Sequence, residues 1–199
     1  MNNINLQLYS FGFECNLSLL DKIKCAGEMG YAGVEFARGY EELPVEQVKK
    51  ALDDAGVKAV SAHVALDFME QDLPYLAKLG VKFVACPMAP FNTAEEAKEL
   101  AEDLNKFGQM AKQYGITIGY HNHTGEFYQD QGKYLMDYLI ENTDPETVAF
   151  ETQIASSSWT PSGRKLGLPQ PLRLRKQCQG MLQRVLLECS TPDSSSEGC

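Results

Sequence analysis

The chain has 199 residues, of which 44% are hydrophobic and 23% charged, and its formal net charge is -9. That length and mixture predict one soluble globular domain with a sizeable core. The acidic balance argues against a nucleic-acid or anionic-membrane surface, although a phosphate can still bind at a helix N-terminus or on a local basic group.

The opening run MNNINLQLYSFGFEC carries no basic segment and no long apolar run, so no signal peptide is expected. No stretch reaches the roughly 18 apolar residues of a membrane span. The six cysteines, Cys15, Cys25, Cys86, Cys178, Cys189 and Cys199, show no Cys-x-x-Cys pair. They read as reduced thiols of a cytoplasmic protein, with zinc binding by them not expected.

Along the chain one unit recurs. A helix-like stretch ends at glycine, a short apolar run follows, and a polar group closes it. The instances are EMGYAGVEFA, DDAGVKAVSAH, AKLGVKFVACP and KQYGITIGYHNH, with Gly30, Gly56, Gly80 and Gly115 at the joins. Glycine suits the position just past a helix end because it takes positive φ without strain. The runs after it predict strands, and the full set is residues 5–10, 32–36, 57–63, 81–86, 115–121 and 147–152. Helix starts lie between them. Pro44 suits a first helical position ahead of VEQVKKALDDA. Asp67 is a candidate cap for FMEQDLPYLAKL, in which Pro74 predicts a kink or a late start. Thr93 with Glu96 forms a capping box before AKELAEDLNKFGQMAKQY. Strands alternating with helices across short links predict a parallel sheet with right-handed crossovers.

The pattern stops near residue 153. Residues 1–153 hold 12 basic and 24 acidic side chains, whereas residues 154–199 hold 6 and 3. The expected division is therefore an α/β domain over 1–153 and an atypical basic, poorly ordered tail over 154–199. The tail is either a genuine extension or a segment read in another frame or spliced from elsewhere. Its Leu, Pro, Gln and Arg enrichment without periodicity favours the second.

All three histidines close strand-like runs, and parallel α/β folds build their sites at the carboxyl ends of strands. Strand side chains alternate in direction. Thr117, Gly119, His121 and His123 thus share one face, opposite Ile116, Ile118, Tyr120 and Asn122. The same parity groups Ser61 with His63, Gly33 with Glu35, and Ala149 with Glu151 and Gln153. One polar group results: His63, His121, His123, Glu35 and Glu151. Imidazoles and carboxylates serve both as ligands for Mn, Co, Zn or Fe and as proton-abstracting groups. Each also has a plain structural reading, strongest for Glu35 and weakest for the His121–His123 pair. Glu126 either orients an imidazole or is a solvated loop carboxylate. Cys86 reads as a buried, inert thiol. Phe11, Phe13, Tyr40 and Phe91 lie in expected strand-to-helix loops, where they stack on a sugar ring or cover the mouth of the site.

At GYAGVEFA, VSAHVALD, GITIGYHNHTGEF and VAFET the chain resembles the sugar phosphate isomerase/epimerase family with xylose isomerase-like barrels, which includes inosose dehydratases and tagatose epimerases. The resemblance covers about residues 4–152, and Tyr120 to His123 with Glu126 and Phe127 are its most specific part. It implies an α/β fold, a (β/α)8 TIM barrel of which about six strands are expected here. It also implies a divalent metal (Mn, Co, Mg or Zn) held at the carboxyl face. On this chain the matching positions assign His121 and Glu151 to the metal, Glu151 and His63 to catalysis, and His63, His123, Glu35 and Glu126 to the substrate. Gln153 stands where the family has an aspartate ligand, and nothing in 154–199 matches the His and Glu of the last two strands, so metal binding is expected to be weak or absent. The implied partner is a small sugar or sugar phosphate, with proton abstraction beside a carbonyl and metal stabilisation of the enediolate. A barrel short of two strands leaves open edges, which suggests a homo-oligomer, or a non-catalytic interaction module as the alternative. Cleavage of abasic DNA, known in a related barrel family, is set aside on the acidic balance.

Overall fold

The computed structural model describes residues 4–12 and 15–151. The tail over 154–199, Phe13 and Gln153 lie outside the described residues.

In chain order the elements are β1 (Asn5–Gln7), α1 (Leu19–Glu28), β2 (Gly33–Phe36), α2 (Val45–Ala55), β3 (Lys58–His63), α3 (Leu66–Leu79), β4 (Phe83–Cys86), α4 (Ala94–Ala111), β5 (Thr117–His121), β6 (Gln129–Asp130), β7 (Lys133–Tyr134), α5 (Leu135–Asn142) and β8 (Val148–Glu151). Six strands form one parallel sheet in the order β1-β2-β3-β4-β5-β8, and β6 pairs with β7 in a small antiparallel hairpin. Each expected strand is present among the described residues, over a shorter span, and Thr152 lies outside those residues. The greatest shortening is in the first, where the chain leaves the sheet after Gln7 for a 3-10 turn over Leu8–Phe11. Gly30, Gly56, Gly80 and Gly115 all take positive φ, between 65° and 84° for three of them and 89° for Gly80. At each join the helix therefore ends and the next strand begins within a few residues.

The helix starts follow the side chains available. Thr93 Oγ1 accepts from the Glu96 amide at 3.2 Å, while Glu96 reaches back to the Asn92 amide rather than to that of Thr93. Pro44 stands one residue before α2, as its N-cap. Asp67 does not cap α3. The helix begins at Leu66 after Ala65, which places Asp67 in the first turn, where a carboxylate still favours the helix dipole. Pro74 sits inside α3, which runs unbroken to Leu79, because Met69, Leu73, Leu76 and Leu79 are buried on its inner face. Burying each such side chain is worth about 1.5–3 kcal/mol, enough together to outweigh the roughly 3 kcal/mol cost of an interior proline.

The apolar strand face and the helices make the core. Val34, Phe36, Ala62, Val84, Cys86, Ile118, Tyr120 and Val148 meet Ile23, Val48, Leu52, Leu73 and Leu104 from the helices. Side chains of opposite parity are thereby forced to the other side of the sheet. Close approach between neighbouring elements is made by glycine. A Cβ on Gly27 would press into the Ala55 carbonyl at the α1–α2 contact, and one on Gly119 would strike the Phe83 ring of the adjacent strand β4.

Candidate active site

Register fixes which strand ends are neighbours. Gln7 pairs with Glu35, Glu35 with Ser61, and His121 with Glu151. A shift in register between Val34 and Glu35 helps bring Glu35 level with Ser61. The sheet also curls. In a flat sheet β3 and β8, three strands apart, would be separated by about 14 Å. Yet His63 Nε2 lies 3.3 Å from Glu151 Oε2, and Gln7, on the edge strand β1, lies 3.3 Å from His63 Nδ1. Only a cylinder-like curvature brings the inner faces of β1, β3 and β8 onto one imidazole.

His63 is the hub. Its Nε2 is 3.3 Å from Glu35 Oε1 and 3.3 and 3.4 Å from the two Glu151 oxygens. Glu35 is buried and receives the Gln7 amide at 2.8 Å and the Ser61 hydroxyl at 2.5 Å. Burial pushes the Glu35 carboxyl above the ordinary range, against the opposing pull of His63. Across the site, His121 Nδ1 approaches Glu151 Oε1 at 2.9 Å. Burial would raise Glu151 too, but hydrogen bonds from His121 and His63 and their charge outweigh it and hold its carboxyl at about 2. The His63 and His121 rings lie 4.8 Å apart, and His123 stands edge-on to His121 at 5.1 Å, so all three rings form one cluster.

Ligand atoms of His63, His121 and Glu151 all fall within 4.8 Å of one another. Two imidazole nitrogens and one ionised carboxylate at that spacing suit a divalent transition ion.

Glu126 is placed elsewhere. It is buried on the far side of β5, where its oxygens accept from the Tyr120 hydroxyl at 2.6 Å and the His123 amide at 2.9 Å. Each oxygen thus receives a donor from within the protein, and Glu126 braces the loop that presents His123. Glu35 is likewise beneath His63, with its oxygens turned to Gln7, Ser61 and the ring. Tyr40 and Phe91 are core residues: Tyr40 donates to the buried Asp72 at 2.7 Å, and Phe91 packs on Tyr120. Neither ring is exposed to stack on a sugar. Cys86 is buried, and burial pushes its thiol up to about 11. Gln7 was not among the residues singled out by sequence, nor was the Tyr40–Asp72 pair. Gln7 was findable from its place in the first strand, level with Glu35.

A curved parallel sheet with helices outside and a polar hub at the carboxyl strand ends defines a βα-barrel protein. The chain belongs to the xylose isomerase-like TIM barrel family, whose model matches residues 23–149. It is 42% identical over 146 residues to an inosose dehydratase of Mesomycoplasma hyopneumoniae strain 7448, covering 61% of this chain and 48% of that one. An inosose dehydratase of Lactiplantibacillus plantarum is 29% identical over 168 residues, covering 72% and 55%. Among solved structures, a sugar phosphate isomerase/epimerase from Parabacteroides distasonis is 26% identical with a TM-score of 0.69, covering 77% of this chain and 66% of its own. The chain spans about half the length of the curated relatives it matches.

Proposed function

We propose that the chain carries the sugar-handling centre of an isomerase, epimerase or inosose-type dehydratase, in which a proton is moved at the carbon beside a carbonyl. The observation that supports this most is the convergence of His63, His121 and Glu151, from three different strands, at the carboxyl end of the sheet. Enzymes of this kind rely on a base near an acidic C–H and on stabilisation of the enediolate that forms.

The donor set fits a divalent ion. His121 and Glu151 would hold it, and the ionised Glu151 carboxylate favours a cation. When bound, such an ion polarises a carbonyl oxygen and its neighbouring hydroxyl. The chain's own groups do the rest. Glu151 is the acceptor for the proton, His63 is within hydrogen-bond reach of it, and His123 lies at the rim where a sugar hydroxyl would meet its ring. The buried Glu35, Gln7 and Ser61 keep water from the back of His63. The substrate class is a ketose, an inosose or a related sugar or sugar phosphate, and the site of action is cytoplasmic. Among the described residues no helix is long and apolar enough to cross a membrane.

The test is incorporation of solvent deuterium into ketoses and inososes by the full chain, with and without Mn, Co or Zn, beside His121→Ala. Metal-dependent exchange lost in the variant is expected. Exchange that ignores both chelator and His121→Ala would end the proposal. Absence of any exchange would favour a second reading, a non-catalytic module that pairs with another chain through the edges of β1 and β8. Those strands are the two ends of the sheet among the described residues.

A further inference from the structure

We infer that Arg38, held at the carboxyl rim of the sheet by Phe68 and Glu41, is the binding residue for an oxyanion at the far end of the sugar, a phosphate ester or a carboxylate.

The loop between β2 and α2 lies along one stripe of α3. Tyr40 donates its hydroxyl to Asp72 at 2.7 Å, and Tyr75 donates its hydroxyl to the Leu43 carbonyl at 2.9 Å. The Arg38 guanidinium lies over the Phe68 ring, 4.4 Å from its centre. Phe68, Asp72 and Tyr75 follow one another at helical spacing, so they share one face of α3. The contacts at Asp72 and Tyr75 belong to the interior and pin the loop. The contact at Phe68 is different. Phe68 lies in the first turn of α3, and both it and Arg38 are exposed. The guanidinium is nevertheless held twice, by the ring and by Glu41 Oε1 at 2.8 Å from Nη2. Glu41 is fixed in turn by the Gly39 amide, which donates to its Oε2 at 2.7 Å. Arginine carries five N–H donors in a rigid planar fork. Glu41 is its one polar partner among the described residues, which leaves the rest of the fork facing solvent. A fixed guanidinium with donors to spare is suited to phosphate and carboxylate oxygens, which it binds in pairs.

Position selects the ligand, and here the inference rests on the sugar-handling role proposed above. Arg38 follows Glu35 by three residues, so its backbone lies within about 11 Å of that strand end. Phe68 opens the helix that follows His63. A sugar with its ketone among the histidines and a charged group at its opposite end fits between the two places. The ionised Glu151 repels an anion from the hub, which turns the charged end outward to the rim. The segments that join β1 to β5 to their following helices hold one other cation, Lys133. It is paired with Glu141 and lies over the Tyr138 ring. Arg38 therefore sorts charged sugars from neutral ones.

The experiment measures binding of D-fructose, D-fructose 6-phosphate and D-fructuronate to the full chain by calorimetry at low salt, in chelator and again with Mn. The three share a ketone and differ at the far carbon, which is neutral, phosphorylated or a carboxylate. One charged sugar should bind more tightly than fructose by roughly 10–100-fold, and the tighter of the two names the oxyanion. In Arg38→Gln, which keeps an aliphatic stem beside Phe68, that ratio should fall toward one. Glu41→Gln removes the competing carboxylate and keeps an acceptor for the Gly39 amide, so the ratio should rise. An ion pair that serves only to brace the loop would move both variants the same way or neither. A cooperative melt checks folding, and if a variant does not fold, the parent decides: its preference should shrink with added salt. Equal affinity for charged and neutral sugars, no binding of any of the three in either condition, a parent preference that ignores salt, or a ratio unmoved by Arg38→Gln overturns the inference. The exchange assay reads something else. A salt-sensitive preference without exchange sinks the catalytic reading and keeps the anion site, whereas exchange on fructose without preference does the reverse.

Discussion

Replacing Glu151 by glutamine isolates the electrostatic share of the site. The carboxyl is held at about 2, against an ordinary 4.5, with its side chain only 12% exposed. A change of one pKa unit corresponds to 1.36 kcal/mol, so the ionised form is favoured in the native state by about 3 kcal/mol. The native carboxylate binds its proton less readily than the unfolded chain does. Its contribution is therefore complete above pH ~5, shrinks as the pH falls, and is gone near pH ~2. Glutamine keeps the size and one acceptor oxygen for His121 but carries no charge. Glu151→Gln should thus be less stable than the parent by about 2–3 kcal/mol at neutral pH, with the gap closing as the solution is acidified. Urea unfolding of both proteins across that range measures it. A gap independent of pH would show that the charge is not the source. A variant more stable than its parent at neutral pH would show that burying the ion pair costs more than the pairing returns.

Two further outcomes follow from packing and from the His123 loop. Gly27→Ala should force α1 and α2 apart, because the added methyl meets the Ala55 carbonyl. A loss of about 1–3 kcal/mol is expected, read as a lowered melting temperature, and an unchanged melt would refute the close contact. Tyr120→Phe leaves one Glu126 oxygen without its hydroxyl donor, at a cost of about 1–3 kcal/mol. Because Glu126 also holds the His123 amide, hydrogen exchange at that amide should speed up, and an unaltered rate would separate the two contacts.

Much of this was legible in the chain itself. The glycine joins at Gly30, Gly56, Gly80 and Gly115 mark where helices stop, since a positive φ at a helix end leaves a plain chemical trace. Period-two alternation put Glu35, Ser61, His63, His121 and Glu151 on one face, because a two-sided strand gives each residue no third direction. What escaped were features set by tertiary geometry. Glu126 looks like a loop carboxylate beside the histidines, but the turn over Gly125–Phe127 carries it round to Tyr120 on the opposite face. Tyr40 sits in a loop by sequence, yet its ring is fully buried because Asp72 on α3 takes its hydroxyl. Gln7 is an unremarkable polar residue until the curvature of the sheet carries an edge strand to the hub.

That curvature ties distant stretches of chain to a common fate. Gln7 and Glu151 are 144 positions apart in sequence yet meet the same ring, which receives them only after every intervening strand has taken its place. A sheet that lacks either end strand, β1 or β8, therefore lacks part of the contacts to that ring.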